Sequence, residues 1–218
     1  MNTHGAFEFL QDYPDMSFGP VEEKGFTLFG TFRFIAHFQG LPSIEDEFEL
    51  EILVPDGFPY ELPMVTELAG KIPRNNKFHI NPDDTLCVGS PLRISFELSN
   101  NPTLRNYANK FLVPYLYAVS HKLKFGGGFV FGELEHGLKG VLWDYKDLLG
   151  LDDIRKVGPA LKLLSMKKRL ANKKICPCGC NQRLGKCNFR FIIADLRESV
   201  PRSYYIKHLT ELVNGRRS

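Results

Sequence analysis

Apolar and acidic residues alternate over one stretch of the N-terminal half: Phe48, Leu50, Ile52 and Val54 interleave with Glu47, Glu49, Glu51 and Leu53. A period of two sends successive side chains to opposite faces, so this stretch reads as a half-buried strand. Residues 26–38, rich in Phe and β-branched side chains, read as a strand before it, and Gly40-Leu41-Pro42-Ser43 supplies the turn between the two. Residues 64–68 add a further short strand. Residues 6–13 predict a short helix that ends before Pro14, because a proline pushes the preceding residue out of the α region. The pattern then changes. After Thr103, a suitable N-cap, apolar residues recur at Leu104, Tyr107, Phe111, Leu112, Tyr115, Leu116 and Val119, which predicts a long buried helix over 104–124 with a kink at Pro114. Gly126-Gly127-Gly128 breaks it, and 138–149 and 152–170 are further helix candidates. Strands first and helices after place the chain in the α+β class, an antiparallel meander packed on helices.

Composition narrows the function classes. The chain has 218 residues, room for one domain with appendages or two small ones. The apolar share of 43% and the charged share of 24% suit a soluble globular protein, and the net charge of +3 is too small to argue by itself for nucleic acid. No apolar run is long enough to span a membrane, and Met1-Asn2-Thr3-His4-Gly5 has no secretory pattern. With a lone cysteine at position 87, these features lead us to expect a cytoplasmic protein.

Cys87 is the one cysteine outside a tight C-terminal cluster, and it closes the run His79-Ile80-Asn81-Pro82-Asp83-Asp84-Thr85-Leu86-Cys87. Upstream lies Phe58-Pro59-Tyr60-Glu61-Leu62-Pro63. Leu86 and Val88 have strand character and Gly89-Ser90-Pro91 follows at once, which puts the thiol at the end of an extended segment where a partner can approach. A nucleophilic cysteine reacts as thiolate and needs such a partly exposed, polar setting. The Asn81 amide is suited to donate to an oxyanion in acyl transfer, or to hold the loop that does. His79 is suited to order the loop through a backbone hydrogen bond, and Asp83 and Asp84 to accept a proton from, or orient, an incoming amine. Against this, a lone cysteine between apolar residues is most often an inert core residue.

The ordered combination of the Phe-Pro-x-x-x-Pro turn, His79-x-Asn81 and Leu86-Cys87 after a meander resembles the ubiquitin-conjugating enzyme family over about residues 1–125. Ile80 stands where proline is usual, the His79-to-Cys87 gap is two residues shorter than in the eukaryotic enzymes, and the tryptophan-containing segment after the cysteine is missing. Residues 111–117 and 131–137 look instead like a bacterial branch of the family found in antiphage defence operons. The resemblance implies transthiolation followed by aminolysis. An activating enzyme hands a carboxyl to Cys87 as a thioester, and an amine, usually a target-protein lysine, then attacks. The cargo it implies is a ubiquitin-like protein or, in some operons, the C-terminus of a cyclic-oligonucleotide synthase. It also makes Phe7, Phe9 and Leu10 of the first helix candidates for docking the activating enzyme, though they suit a core equally well. Adenylation must occur elsewhere, since Gly126-Gly127-Gly128 lacks the following lysine of a phosphate-cradling loop.

A second chemistry lies near the C-terminus. Cys176, Cys178, Cys180 and Cys187 place four thiols within twelve residues, with turns at Gly179 and Gly185. Clustered thiolates suit tetrahedral zinc, and four protein ligands would make it structural. The segment resembles the small zinc motif at the C-terminus of the secretion ATPase SecA, except that Asn188 holds the last position and Cys180 replaces the usual serine. Cys180 is then the fourth ligand, with His208 a distant fallback. Such an ion would fold a segment too small for its own core, supplying on the order of 10 kcal/mol. Disulfides, free thiols and an iron–sulfur cluster are the competing readings. Lys173, Lys174, Arg183, Lys186 and Arg190 around the cysteines suit a solvated surface better than an acidic partner or nucleic acid.

The expected organisation is a conjugating domain over 1–125, a helical extension over 126–172 and a zinc-binding segment over 173–218. Glu133 and His136 suit a turn, and Trp143 and Tyr145 a core or docking surface. The leading expectation is a protein-conjugating enzyme, and the alternative is an inactive scaffold of the same fold that binds a defence-operon partner. A cysteine protease with His121 or His136 as base and a zinc-dependent nucleic-acid binder are weaker readings.

Overall fold

A computed structural model describes residues 3–22, 25–132 and 137–214. The chain divides into two compact units, residues 1–89 with 101–133, and residues 90–100 with 134–218.

The first unit is α+β. After helix α1 (Ala6–Asp12) come four strands, β1 (Met16–Glu22), β2 (Gly25–Ala36), β3 (Ile44–Val54) and β4 (Met64–Glu67), which form one antiparallel sheet in sequence order. The predicted alternation sets the register. Phe32 pairs with Phe48 and Leu28 with Ile52 on the inner face, while Arg33 pairs with Glu47 and Phe29 with Glu51 on the outer one. Leu28, Phe32, Phe48, Leu50 and Ile52 are buried, and each such side chain contributes roughly 2 kcal/mol by leaving water. Strand β1 has no clear sequence signal because Gly19 and Pro20 interrupt it, and the pairing slips between Phe18 and Val21. Pro20 is tolerated because β1 is an edge strand. Gly30 is required where it stands: its φ is +132°, and a Cβ there would lie 2.4 Å from the carbonyl oxygen of Asp15.

The predicted long helix over 104–124 forms in three pieces. Helix α3 (Leu104–Tyr107) is followed by a π-helical turn over Ala108–Leu112 and by α4 (Val113–Phe125). Pro114 sits in the first turn of α4, just past the widened turn, so the N–H it lacks is not missed and the helix continues. Thr103 caps α3 as expected, its hydroxyl accepting from the Asn106 N–H at 3.2 Å. Helix α4 packs on β2 and β3, and α3 packs beside α1.

The second unit is helical. It contains α2 (Pro91–Leu98), α5 (Gly137–Leu148), α6 (Val157–Ser165), the short α7 (Lys168–Ala171), α8 (Phe189–Ser199) and α9 (Arg202–Asn214). Helix α6 is its centre and packs against α5, α7, α8 and α9, with Val157, Ala160, Leu161, Leu163 and Leu164 buried. The expected helix over 152–170 is thus broken after Ser165, and α2, α8 and α9 were not foreseen. Two carbonyls at the C-terminal end of α6, those of Leu163 and Met166, accept from the Arg197 guanidinium at 2.6 and 3.0 Å. The Tyr145 hydroxyl accepts from the Leu92 N–H at 3.1 Å and lies 2.6 Å from Nε2 of His208. Asp144, buried, accepts from the Ser90 hydroxyl and from Nε of Arg93 at 2.6 Å.

One expectation changes. The cysteine-rich segment does not lack a core: Cys176, Leu184 and Phe189 are buried in the same apolar cluster as Leu161, Leu164 and Ile193. A bound metal would therefore reinforce this core instead of substituting for one. Among the described residues no helix is long and apolar enough to cross a membrane.

Candidate functional site

Residues 79–87 form a tight hairpin in the first unit. The Asn81 N–H donates to the Thr85 carbonyl and the Cys87 N–H to the His79 carbonyl, both at 2.8 Å, and Ile80 pairs with Leu86. The hairpin is anchored to the sheet where the Leu86 N–H donates to the Val65 carbonyl at 2.7 Å and Thr85 pairs with Thr66. It is held from the other side by the Tyr115 hydroxyl, which donates to the Phe78 carbonyl at 2.7 Å. His79 and Asp84 both have left-handed backbone, with φ of 53° and 64°. Non-glycine residues in that region are uncommon, and two so close together mark a loop whose shape is imposed by its surroundings.

This loop carries His79, Asn81, Asp83, Asp84 and Cys87 within nine residues, and the bonds of Asn81 and Asp83 run within the loop itself. The Asn81 amide donates to the Thr85 hydroxyl at 2.9 Å, which is the loop-holding role. Asp83 accepts from the Thr85 hydroxyl at 2.7 Å and from its N–H at 3.2 Å. The hydroxyl bond is the main reason the Asp83 carboxyl sits below its usual range. Asp84 lies 3.6 Å from Nη1 of Arg74, whose other nitrogen donates to the Glu67 carbonyl at 2.5 Å. The His79 ring meets Phe129 edge-on at 4.6 Å. His121 lies with its ring centroid 4.8 Å from that of Phe125.

Cys87 is exposed as a residue. Its sulfur nonetheless sits in dense surroundings, and desolvation pushes the thiol pKa up, opposed by a hydrogen bond from the Gly89 backbone. The resting thiol is therefore neutral. Tyr115 and Tyr107 are buried close enough to feel a charge on Cys87, and burial raises both phenols, so they stay protonated donors. Neither tyrosine carried a sequence signal for this role, since both fall on the apolar face of a helical pattern. Arg74 and Thr85 were missed for a similar reason: the bonds they make in the folded loop are not visible in residue type. Of the first-helix candidates, Phe9 is core, while Phe7 is exposed and touches Phe18.

The four cysteines of the second unit converge: their sulfurs all lie within 4.8 Å of one another. A short ladder sets the geometry. The Cys176 N–H donates to the Gln182 carbonyl at 2.8 Å, the Leu184 N–H to the Lys174 carbonyl at 2.8 Å, and Ile175 pairs with Arg183. Cys178 lies 3.2 Å from Cys176 and 3.5 Å from Cys187, sulfur to sulfur. Burial opposes ionisation of Cys178, but hydrogen bonds from its three neighbours outweigh it and hold its pKa at about 7, while burial pushes Cys176 up. A donor set of four thiols, one of them ready to ionise near neutrality, could hold a metal ion. His208 is not part of this set, being bonded to Tyr145 in the helical core. Tyr145 is core and Trp143 exposed, with Lys146 over its ring at 4.4 Å. Glu133 and His136 lie outside the described residues.

No family model matches the chain, and neither does any curated protein or solved structure.

Proposed function

We propose that the first unit is a protein-conjugating enzyme of ubiquitin-conjugating type, with Cys87 accepting a ubiquitin-like protein or a partner's C-terminus as a thioester. The observation that carries this reading is the hairpin that ends on Cys87. An exposed cysteine closes a hydrogen-bonded loop built from His79, Asn81 and Asp83, beside the edge strand β4 of an antiparallel meander. In the reaction the Cys87 thiol loses its proton, its sulfur attacks the incoming thioester carbonyl, and the activating enzyme's thiolate leaves. A lysine amine of the target then attacks the new thioester and releases the Cys87 thiolate, which takes back a proton. Asn81 keeps the loop in shape, and Asp83 and Asp84 are the carboxylates this reading assigns to attracting a cationic amine. A setting in bacterial antiphage defence follows from the resemblance alone.

The raised thiol gives the alternative, a non-catalytic scaffold of the same fold, its specific support. Incubation with ATP, a ubiquitin-like protein and an activating enzyme that charges it decides between them. The expected result is a thiol-sensitive mass adduct on wild type and none on Cys87→Ala. No adduct, with Cys87 also inert to iodoacetamide in the folded protein, would establish the scaffold.

The cysteine cluster is read as a structural zinc site held by Cys176, Cys178, Cys180 and Cys187. Thiolates around tetrahedral zinc stand at about 2.3 Å from the metal, hence roughly 3.8 Å from one another, which is close to the spacings found. The ion would cross-link the ladder to the start of α8 and leave no open position for chemistry.

A further inference from the structure

The net charge of +3 conceals a division between the units. Residues 1–89 and 101–133 hold nine Lys and Arg against sixteen Asp and Glu, a net −7. Residues 90–100 and 134–218 hold nineteen against nine, a net +10. The excess is itself concentrated. Between Asp153 and Asp195 the chain has eleven Lys and Arg and no carboxylate, and eight of these cations (Lys167 to Arg190) flank or interrupt the cysteine cluster in sequence. A zinc ion with four thiolates would offset only two of those charges.

All eight cations are exposed. Apolar side chains are interleaved with them: Phe191 is 55% exposed, and Ile175 is 64% exposed and paired with Arg183. The Arg190 guanidinium lies over the Phe191 ring at 4.6 Å while donating to the Gly185 carbonyl at 2.9 Å. An exposed ring with a cation on its face, inside a dense positive field, is the arrangement that takes an unpaired base on the ring and its phosphates on the cations.

We infer that the cysteine-cluster surface of the second unit binds single-stranded nucleic acid, with Lys173, Lys174 and Arg190 on the phosphates and Phe191 stacking on a base. The contacts named are to phosphate and to the face of a base, so the site is sequence-tolerant. The site is independent of the Cys87 reading.

Fluorescence anisotropy of the full chain with a labelled oligouridylate, beside a duplex of equal charge and anionic phosphatidylserine vesicles, tests this. The single strand should bind most tightly, with log affinity falling against log salt by about 0.7 for each phosphate contacted. Lys173→Glu with Lys174→Glu should weaken binding more than tenfold and flatten the salt slope. Phe191→Ala should weaken the single strand at least about fivefold and leave the duplex unchanged. Circular dichroism and a melting temperature equal to wild type in both variants show that the helical unit is intact. No single-strand binding at low salt overturns the inference. So does a preference for vesicles or duplex, or indifference of the single strand to Phe191→Ala in the folded protein.

Discussion

The Tyr115 hydroxyl donates to the carbonyl of Phe78 at 2.7 Å, and so ties helix α4 to the residue that precedes the left-handed turn at His79. The hairpin carrying Cys87 thus has one strap to the sheet, at Leu86, and one to the helix layer. Tyr115→Phe removes the second strap and leaves a carbonyl without its donor. It should cost about 1 kcal/mol in denaturant unfolding. It should also raise the alkylation rate of Cys87 in the folded protein, because a looser loop desolvates the thiolate less.

Cys87 fixes a pH dependence. Burial raises its folded-state pKa above the ordinary thiol value of 9.0. Folding therefore favours the protonated thiol, and this contribution is complete below pH 9 and is lost as pH rises through the folded pKa. Stability of Cys87→Ala, measured by urea titration, should fall less between pH 8 and about 10 than that of wild type. Alkylation of folded wild type should be slower at pH 8 than for a free cysteine and should still be rising above pH 9.

The cysteine cluster predicts how metal removal acts. The protein as purified should carry one zinc per chain by elemental analysis, and Cys176→Ser should carry none. Because Cys176, Leu184 and Phe189 share the core of the helical unit, loss of the ion should lower the melting temperature by several degrees without abolishing the fold. Cys87 should react with iodoacetamide at the wild-type rate in that variant. Retained zinc, or an unchanged melting temperature, would contradict a structural site.

Arg197 predicts a helical hot spot. Its guanidinium satisfies the Leu163 and Met166 carbonyls where α6 ends, and burial lowers its pKa. Arg197→Ala leaves both carbonyls without that donor and should cost about 2 kcal/mol in thermal or denaturant unfolding.

Much of the first unit was legible because its signals are periodic. The alternation of Phe48 to Val54 with glutamates predicts β3 and its buried face, and Thr103 announces the helix that it caps. Strand β1 was hidden because Gly19 and Pro20 carry no strand preference, and an edge position excuses both. The kink expected at Pro114 is taken up one step earlier by the π-turn, a backbone solution that residue type does not announce. The cysteine cluster was legible from spacing alone. The partners of the Cys87 loop were not: Tyr115, Arg74 and Thr85 reach it only through the folded path of the chain.

The division of the chain has a consequence for its synthesis. Helix α2 belongs to the second unit but is encoded inside the first, between Gly89 and Asn101. It packs against α5 and α8, and α8 begins only at Phe189. At ordinary translation rates α2 leaves the ribosome roughly five to twenty seconds before that helix exists. The first unit can close behind residue 133 while Leu92 still awaits the helical core it shares with Tyr145 and Ile193. A nascent chain stalled there, or a gene cut there, would present an orphan apolar helix to chaperones and proteases. A gene for the first unit alone therefore has to lose or rebuild the segment between Gly89 and Asn101.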